Sequence, residues 1–92
     1  RHGRVRQVYS VGDAEAEVIE AQILSTSPIS GKLIKDIELS AGVMIGVVKR
    51  GVNFIKPSGS TKILDGDVVV IFSLSKDVPE VEKLLQVSID FF

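Results

Sequence analysis

A small α+β fold is expected of this chain: a mostly antiparallel sheet with two helices packed on it, in the order β-α-β-β-β-β-α. Three observations lead there. Apolar and polar residues alternate around Val18–Ile23, and two later runs, Val43–Lys49 and Val68–Phe72, are almost continuous β-formers. The turn signals Arg50-Gly51 and Asp65-Gly66 separate the later segments and favour hairpins. Helix-start patterns stand at two places, before Gly31 and before Val78.

The elements follow in order. Residues 1–14 read as a connector from an upstream domain, in which Val5, Val8, Tyr9 and Val11 suit a short strand; residues 15–92 are the folded unit. Ile19, Ala21 and Ile23 alternate with Glu20 and Gln22, giving a strand with one buried face. Ser27-Pro28 breaks it. Ser30 suits the N-cap of a helix over 31–37, with Leu33, Ile34 and Ile37 on its apolar side. Val43–Lys49 has the composition of a strand covered on both faces, and Gly46 within it marks a bulge or a close approach. Asn53–Lys56 returns as a short strand stopped by Pro57, and Thr61–Leu64 suits another. Asp65-Gly66 suits a type I′ turn into the strand Val68–Phe72. Asp77 and Glu80 form a capping-box pattern around Pro79, and Val78, Val81, Leu84 and Leu85 share one face of the last helix. The tail ends in Phe91-Phe92, whose burial is worth a few kcal/mol, so docking of the tail is expected.

Composition narrows the function. With 92 residues the chain buries only about two-thirds of its unfolded surface, so a core and a deep pocket do not fit together. Yet 45% of it is hydrophobic and its mean hydropathy is +0.30, which points to apolar surface that a second copy covers, the alternative being a densely packed monomer. The 11 basic and 12 acidic residues nearly cancel, leaving no field to attract a nucleic acid. Arg1, His2, Arg4 and Arg6 lack interleaved aromatics and read as a solvated linker. There is no cysteine and no apolar run near the roughly 20 residues a membrane helix needs.

Catalytic chemistry is poorly supplied. The single histidine is His2, in the connector, so triads and histidine-metal sites have no anchor in the folded unit. Glu15, Glu17 and Glu20 are more readily solubilising than catalytic. No glycines are two residues apart, so a G-x-G-x-x-G turn is absent. One constellation remains. Arg50 and Asn53 flank a turn beside an aliphatic strand, and Pro57 closes the next; guanidinium, carboxamide and aliphatic groups suit a phosphate and a base in a shallow groove. The plainer reading is a hairpin with an exposed arginine and a turn asparagine.

Ser27-Pro28-Ile29-Ser30-Gly31-Lys32-Leu33-Ile34-Lys35-Asp36-Ile37 resembles the opening of the regulator-of-potassium-conductance (RCK) C-terminal domain, also called the TrkA C-terminal domain. Val43–Arg50 is similar to that family's strand leading to an arginine, and Asn53–Pro57 to its proline-ended return strand. Thr61, Leu64, Gly66, Asp67 and Val68–Phe72 are similar to its "threonine, leucine, glycine-aspartate, apolar strand" segment. Val81–Gln86 followed by paired phenylalanines is similar to the end of its Trk-type members. The resemblance covers about Glu15–Phe92. It implies a non-catalytic regulatory domain of a cytoplasmic subunit, peripheral to the inner face of the cell membrane, that gates a potassium-translocating membrane protein. It implies a homodimer, no nucleic-acid partner, and NAD or ATP on a separate Rossmann-like half rather than here. In some relatives a cyclic dinucleotide lies across the dimer groove. By position, Met44 and Ile45 would line that groove, Arg50 would meet a phosphate, and Asn53 and Pro57 would flank a base. The alternative is a purely structural dimerisation module.

Overall fold

The computed structural model describes residues 4–89. Expectations for Arg1, His2, Phe91 and Phe92 lie outside them. Five strands form one antiparallel sheet: β1 (Arg4–Val11), β2 (Ala16–Gln22), β3 (Val43–Arg50), β4 (Asn53–Ile55) and β5 (Val68–Leu74), in the spatial order β1-β2-β5-β3-β4. The most apolar strand is therefore the central one. Short 3₁₀ turns occupy Ile34–Asp36 and Ser75–Asp77, and α1 (Val78–Leu85) is the single α-helix among the described residues.

Period-two alternation sorts the sheet into two faces. Ile19, Ala21, Val43, Ile45, Val48, Val69 and Ile71 point inward, where Val78, Val81 and Leu85 of α1 meet them. Ile23, Ile29, Ile37 and Ile63 from the long connections complete the same core. The hairpin β1–β2 extends the sheet further than a connector would: Val5 and Val8 pack on the core, and Arg6 pairs with Glu20 at 3.4 Å on the strand beside it. Residues 4–11 belong to the sheet.

Three sequence expectations are corrected. Residues 31–37 do not form a helix, and the order is β-β-β-β-β-α with one helix. Their backbone is spent on a distant partner instead. Gly31 N–H donates to Ile63 O at 2.7 Å, Ile63 N–H to Lys32 O at 2.9 Å, Ile34 N–H to Thr61 O at 2.9 Å and Lys35 N–H to Gly59 O at 3.0 Å. These bonds compete directly with the i→i−4 ladder. For the same reason Thr61–Leu64 is not a strand; it contributes one isolated bridge, Leu33 to Lys62. The turn at Asp65-Gly66 is not type I′ either. Only Gly66 has positive φ, at 90°, and Asp67 N–H closes it onto Leu64 O at 3.0 Å, the pattern of a type II turn.

The helix start also differs from the capping box. Asp77 makes no side-chain cap bond, and Glu80 instead accepts the Ser40 N–H at 2.9 Å, tying the loop before β3 to α1. Gln86, at φ 55°, ends α1 in the left-handed region and folds the chain back. Val87 and Ile89 then bury themselves, and Glu82 accepts the Ile89 N–H at 2.7 Å. The tail docks on this domain as far as Ile89.

At Gly46 the β3–β5 ladder slips by one residue, so the expected bulge is present. The Phe72 ring lies directly over it: a Cβ there would overlap Phe72 Cε2. Gly46→Ala is expected to push the ring outward and cost about 1–2 kcal/mol. Thermal unfolding checks this; an unchanged midpoint would show that the ring has room to yield.

Candidate functional site

The five residues singled out from the sequence do not converge. Met44 and Ile45 are neighbours on β3 and so face opposite sides of the sheet; Met44 is 57% exposed, while Ile45 is buried in the core. Arg50 and Asn53 pair across the β3–β4 turn, and Pro57 follows two residues after β4. Six residues separate Met44 from Arg50 along the strand, about 20 Å at ~3.3 Å each. A hollow of about 470 Å³ includes Met44 but none of the other four.

Arg50 is already occupied. One step beyond the Lys49–Val68 pair, the β3–β5 ladder brings it opposite Asp67. Its Nε donates to Asp67 Oδ1 at 2.9 Å, and its Nη2 donates to Asp67 Oδ2 and to Lys62 O, both at 2.8 Å. The Leu64 N–H donates to the same carboxylate at 2.8 Å. Asp67 is buried, whereas the arginine side chain is 39% exposed. Burial alone would raise the Asp67 carboxyl; the hydrogen bonds from Arg50 and Leu64, with the charge of Arg50, outweigh it and hold the group below its ordinary 3.8. The same hydrogen bond lifts Arg50 above its ordinary value against a smaller opposing effect of burial. This fork-on-carboxylate geometry fixes the 62–67 loop to the end of β3. The exposed edge of the guanidinium is what remains for an anion.

Glu17 and Glu20 face opposite sides of the sheet. Glu17 is buried on the inner face, accepting from Ser10 Oγ at 2.9 Å and Ser75 Oγ at 3.0 Å, while Glu20 points outward to Arg6. Among the described residues no group of three or more His, Cys, Asp or Glu side chains is placed to hold a metal ion.

The feature composition announced without locating it is the outer face of the sheet. The register lines up Tyr9, Val18, Phe72 and Met44 in one row across β1-β2-β5-β3, with Val11, Ala16 and Leu74 in the next row. Phe54 lies on the same face under the Lys49 ammonium, 5.7 Å from its ring centroid. Tyr9, Val11, Met44 and Phe54 are each at least half exposed, and Phe72 and Leu74 about 40%. The hollow of 470 Å³ opens here between Val11, Ala16, Val18, Met44, Phe72 and Leu74. Strand parity alone would have found this row, because Val68–Phe72 is apolar at both odd and even positions.

Comparison with known proteins agrees with this architecture. The family model described as the TrkA-C domain matches residues 18–86. The protein named Trk system potassium uptake protein TrkA from Azorhizobium caulinodans is 45% identical over 92 residues, covering all of this chain and 20% of that protein. Proteins of the same name from Haemophilus influenzae and Halomonas elongata are 38% and 34% identical over 95 and 96 residues, covering 99% and 100% of this chain and 21% of each of them. The chain thus spans about a fifth of the length of these relatives. A solved structure described as "Structure of RCK domain with cda" superposes with a TM-score of 0.62 at 19% identity, covering 74% of this chain and 96% of that one. It shares the fold. No helix among the described residues is long and apolar enough to cross a membrane. The sheet, its register and the match over residues 18–86 lead to one assignment: this chain belongs to the TrkA-C domain family of regulatory domains.

Proposed function

We propose that the chain is the non-catalytic regulatory and dimerisation domain of a Trk-type potassium-uptake subunit. It acts by association, in pairs, and takes a small nucleotide-type effector where the two copies meet. The observation that carries this reading is the 45% identity running through all 92 residues to a potassium uptake protein. In the full subunit, NAD or ATP belongs to a Rossmann-like half elsewhere. The subunit works in the cytoplasm, at the inner face of the cell membrane, against a potassium-translocating partner. The RCK-domain structure solved with cda is the fold's precedent for an effector of this kind.

A specific observation favours the second reading, a purely structural dimerisation module with sensing done elsewhere. Arg50 is held by Asp67, and Met44 and Ile45 face opposite ways, so one copy alone does not assemble the five residues into a pocket. Calorimetric titration with cyclic di-AMP, ATP and NAD separates the two. The regulatory reading expects saturable heat with one of them, weakened at least tenfold in Asn53→Ala or Arg50→Lys. No heat from any of the three leaves the structural module standing.

A further inference from the structure

We propose that the tip of the β3–β4 hairpin is a lipid anchor: Val52 and Phe54 enter the headgroup region of an anionic membrane surface, and the lysines around them rest on its charge. This deepens the membrane-side placement argued above by making the lipid itself a partner of this domain. It needs neither a second copy nor an effector.

The tip is apolar without a structural cause. Arg50 pairs with Asn53 around Gly51-Val52, and of the two turn residues only Gly51 has positive φ, at 61°, the pattern of a type II′ turn. The second position of such a turn needs no apolar side chain, and turns favour polar ones. Here it carries Val52, 88% exposed, with Phe54 two residues on at 74%. Among the described residues these are the two most exposed large hydrophobic side chains. β4 is three residues long and lies at the sheet edge, so the tip stands at a corner of the sheet. A two-residue tip is far smaller than the ~800 Å² per partner of a stable protein interface. A lipid surface asks for no shape match: apolar side chains need only reach ~5–10 Å into the headgroup boundary.

Charge supplies the second argument, because the near-zero total hides a division along the strands. Residues 49–62 hold four basic side chains and no acidic one. Arg50 Nη2 donates to Lys62 O, Ile63 N–H to Lys32 O and Lys35 N–H to Gly59 O, which draws Lys32, Lys35 and Lys62 to the same end of the sheet as the tip. Lys56 follows β4 directly, and the Lys49 ammonium lies over the Phe54 ring at 5.7 Å. Asp67 is taken by Arg50, which leaves these five lysines against the exposed Asp36 and Asp65. The other end is the reverse. Asp13, Glu15, Glu38, Asp77 and Glu80 gather where β2 and β3 begin and β5 ends, with Lys76 among them. Such a field turns the tip toward an anionic surface and the acidic end away from it. Cations around exposed aliphatic and aromatic groups are the chemistry of a lipid interface.

Vesicles free of any protein test the anchor, so its failure leaves the potassium-uptake reading and its titrations untouched. This chain is expected to sediment with vesicles of phosphatidylcholine containing about 30% phosphatidylglycerol, not with pure phosphatidylcholine, and to be released by about 0.5 M salt. Val52→Asp, and Lys56→Glu together with Lys62→Glu, are each expected to weaken partitioning by about tenfold or more. Val11→Asp makes the same change at a 50% exposed site at the acidic end and is expected to alter partitioning by less than about threefold. The chain has no tryptophan, so Phe54→Trp introduces a lone indole. Its emission is expected to shift to the blue on the anionic vesicles and to be quenched by brominated acyl chains. Circular dichroism establishes folding; if Phe54→Trp does not fold, Val52→Trp, at the more exposed site, gives the same readout. Sedimentation without a blue shift would overturn the anchor, since the tip would then stay in water. Equal losses in Val52→Asp and Val11→Asp would overturn its location. No sedimentation with the anionic vesicles would overturn the lipid as partner and assign the tip to a protein surface.

Discussion

Ile71→Ala is expected to remove about 4 kcal/mol of stability, the upper part of the range for a buried isoleucine. Ile71 is fully buried at the middle of the central strand, paired with Ile19 on β2 and Ile45 on β3. Its side chain faces the core that α1 and the long connections close, so the vacated volume has packed neighbours rather than water around it. A domain of this length holds about 5–14 kcal/mol in total. The loss therefore lowers the melting temperature by roughly 20 °C, since each kcal/mol is worth about 4–8 °C at this size. Ile71→Val, which deletes one methyl, is expected to cost about 1 kcal/mol. Urea denaturation of the two variants checks the ratio. A loss below about 1.5 kcal/mol for alanine would mean that the sheet collapses onto the gap, and that the core is less closely packed than its burial implies.

The strands that carry this core were legible because their signals are local. Val68–Phe72 is an unbroken run of β-formers, Val43–Lys49 is almost one, and Ile19–Ile23 alternates with Glu20 and Gln22. α1 was legible from its apolar spacing and Pro79, although the cap was not: Glu80 prefers the Ser40 N–H, forty residues away in sequence. The same limit explains the helix expected at 31–37. Its propensities are reasonable, but the backbone there finds Gly59, Thr61 and Ile63, a choice no local pattern records. β1 was half legible, as a possible strand inside a connector, because its alternation is sparse and its partner β2 supplies the ladder. For the site, the opposed directions of Met44 and Ile45 follow from strand parity alone. The engagement of Arg50 does not. It depends on the β3–β5 register, including the slip at Gly46, which sets Arg50 rather than Lys49 opposite Asp67.

Asp67→Ala is expected to cost about 2–3 kcal/mol at neutral pH. The change removes both charge-assisted bonds from Arg50 and leaves the Leu64 N–H without its acceptor, while the half-exposed guanidinium escapes to water. The pH dependence gives the prediction a sign. Asp67 sits below its ordinary value in the folded chain, so near that value the unfolded chain binds more protons than the folded one. Stability from this group is therefore fully present above about pH 4, the unfolded carboxyl's range, and is lost as pH falls through the lower folded value. Asp67→Ala is expected to show a shallower acid limb than the parent chain in denaturation curves between about pH 5 and 2. Parallel limbs would show that the clamp contributes nothing through ionisation. The same clamp decides how an effector at Arg50 has to work. Arg50→Ala would strand a buried carboxylate, so lost binding in that variant would report on the loop as much as on the ligand. Arg50→Lys keeps a cation against Asp67 but gives up the fork. A phosphate that needs the fork therefore loses at least tenfold in affinity in an Arg50→Lys variant that is still folded at the titration temperature, whereas a purely structural Arg50 moves only the melting temperature.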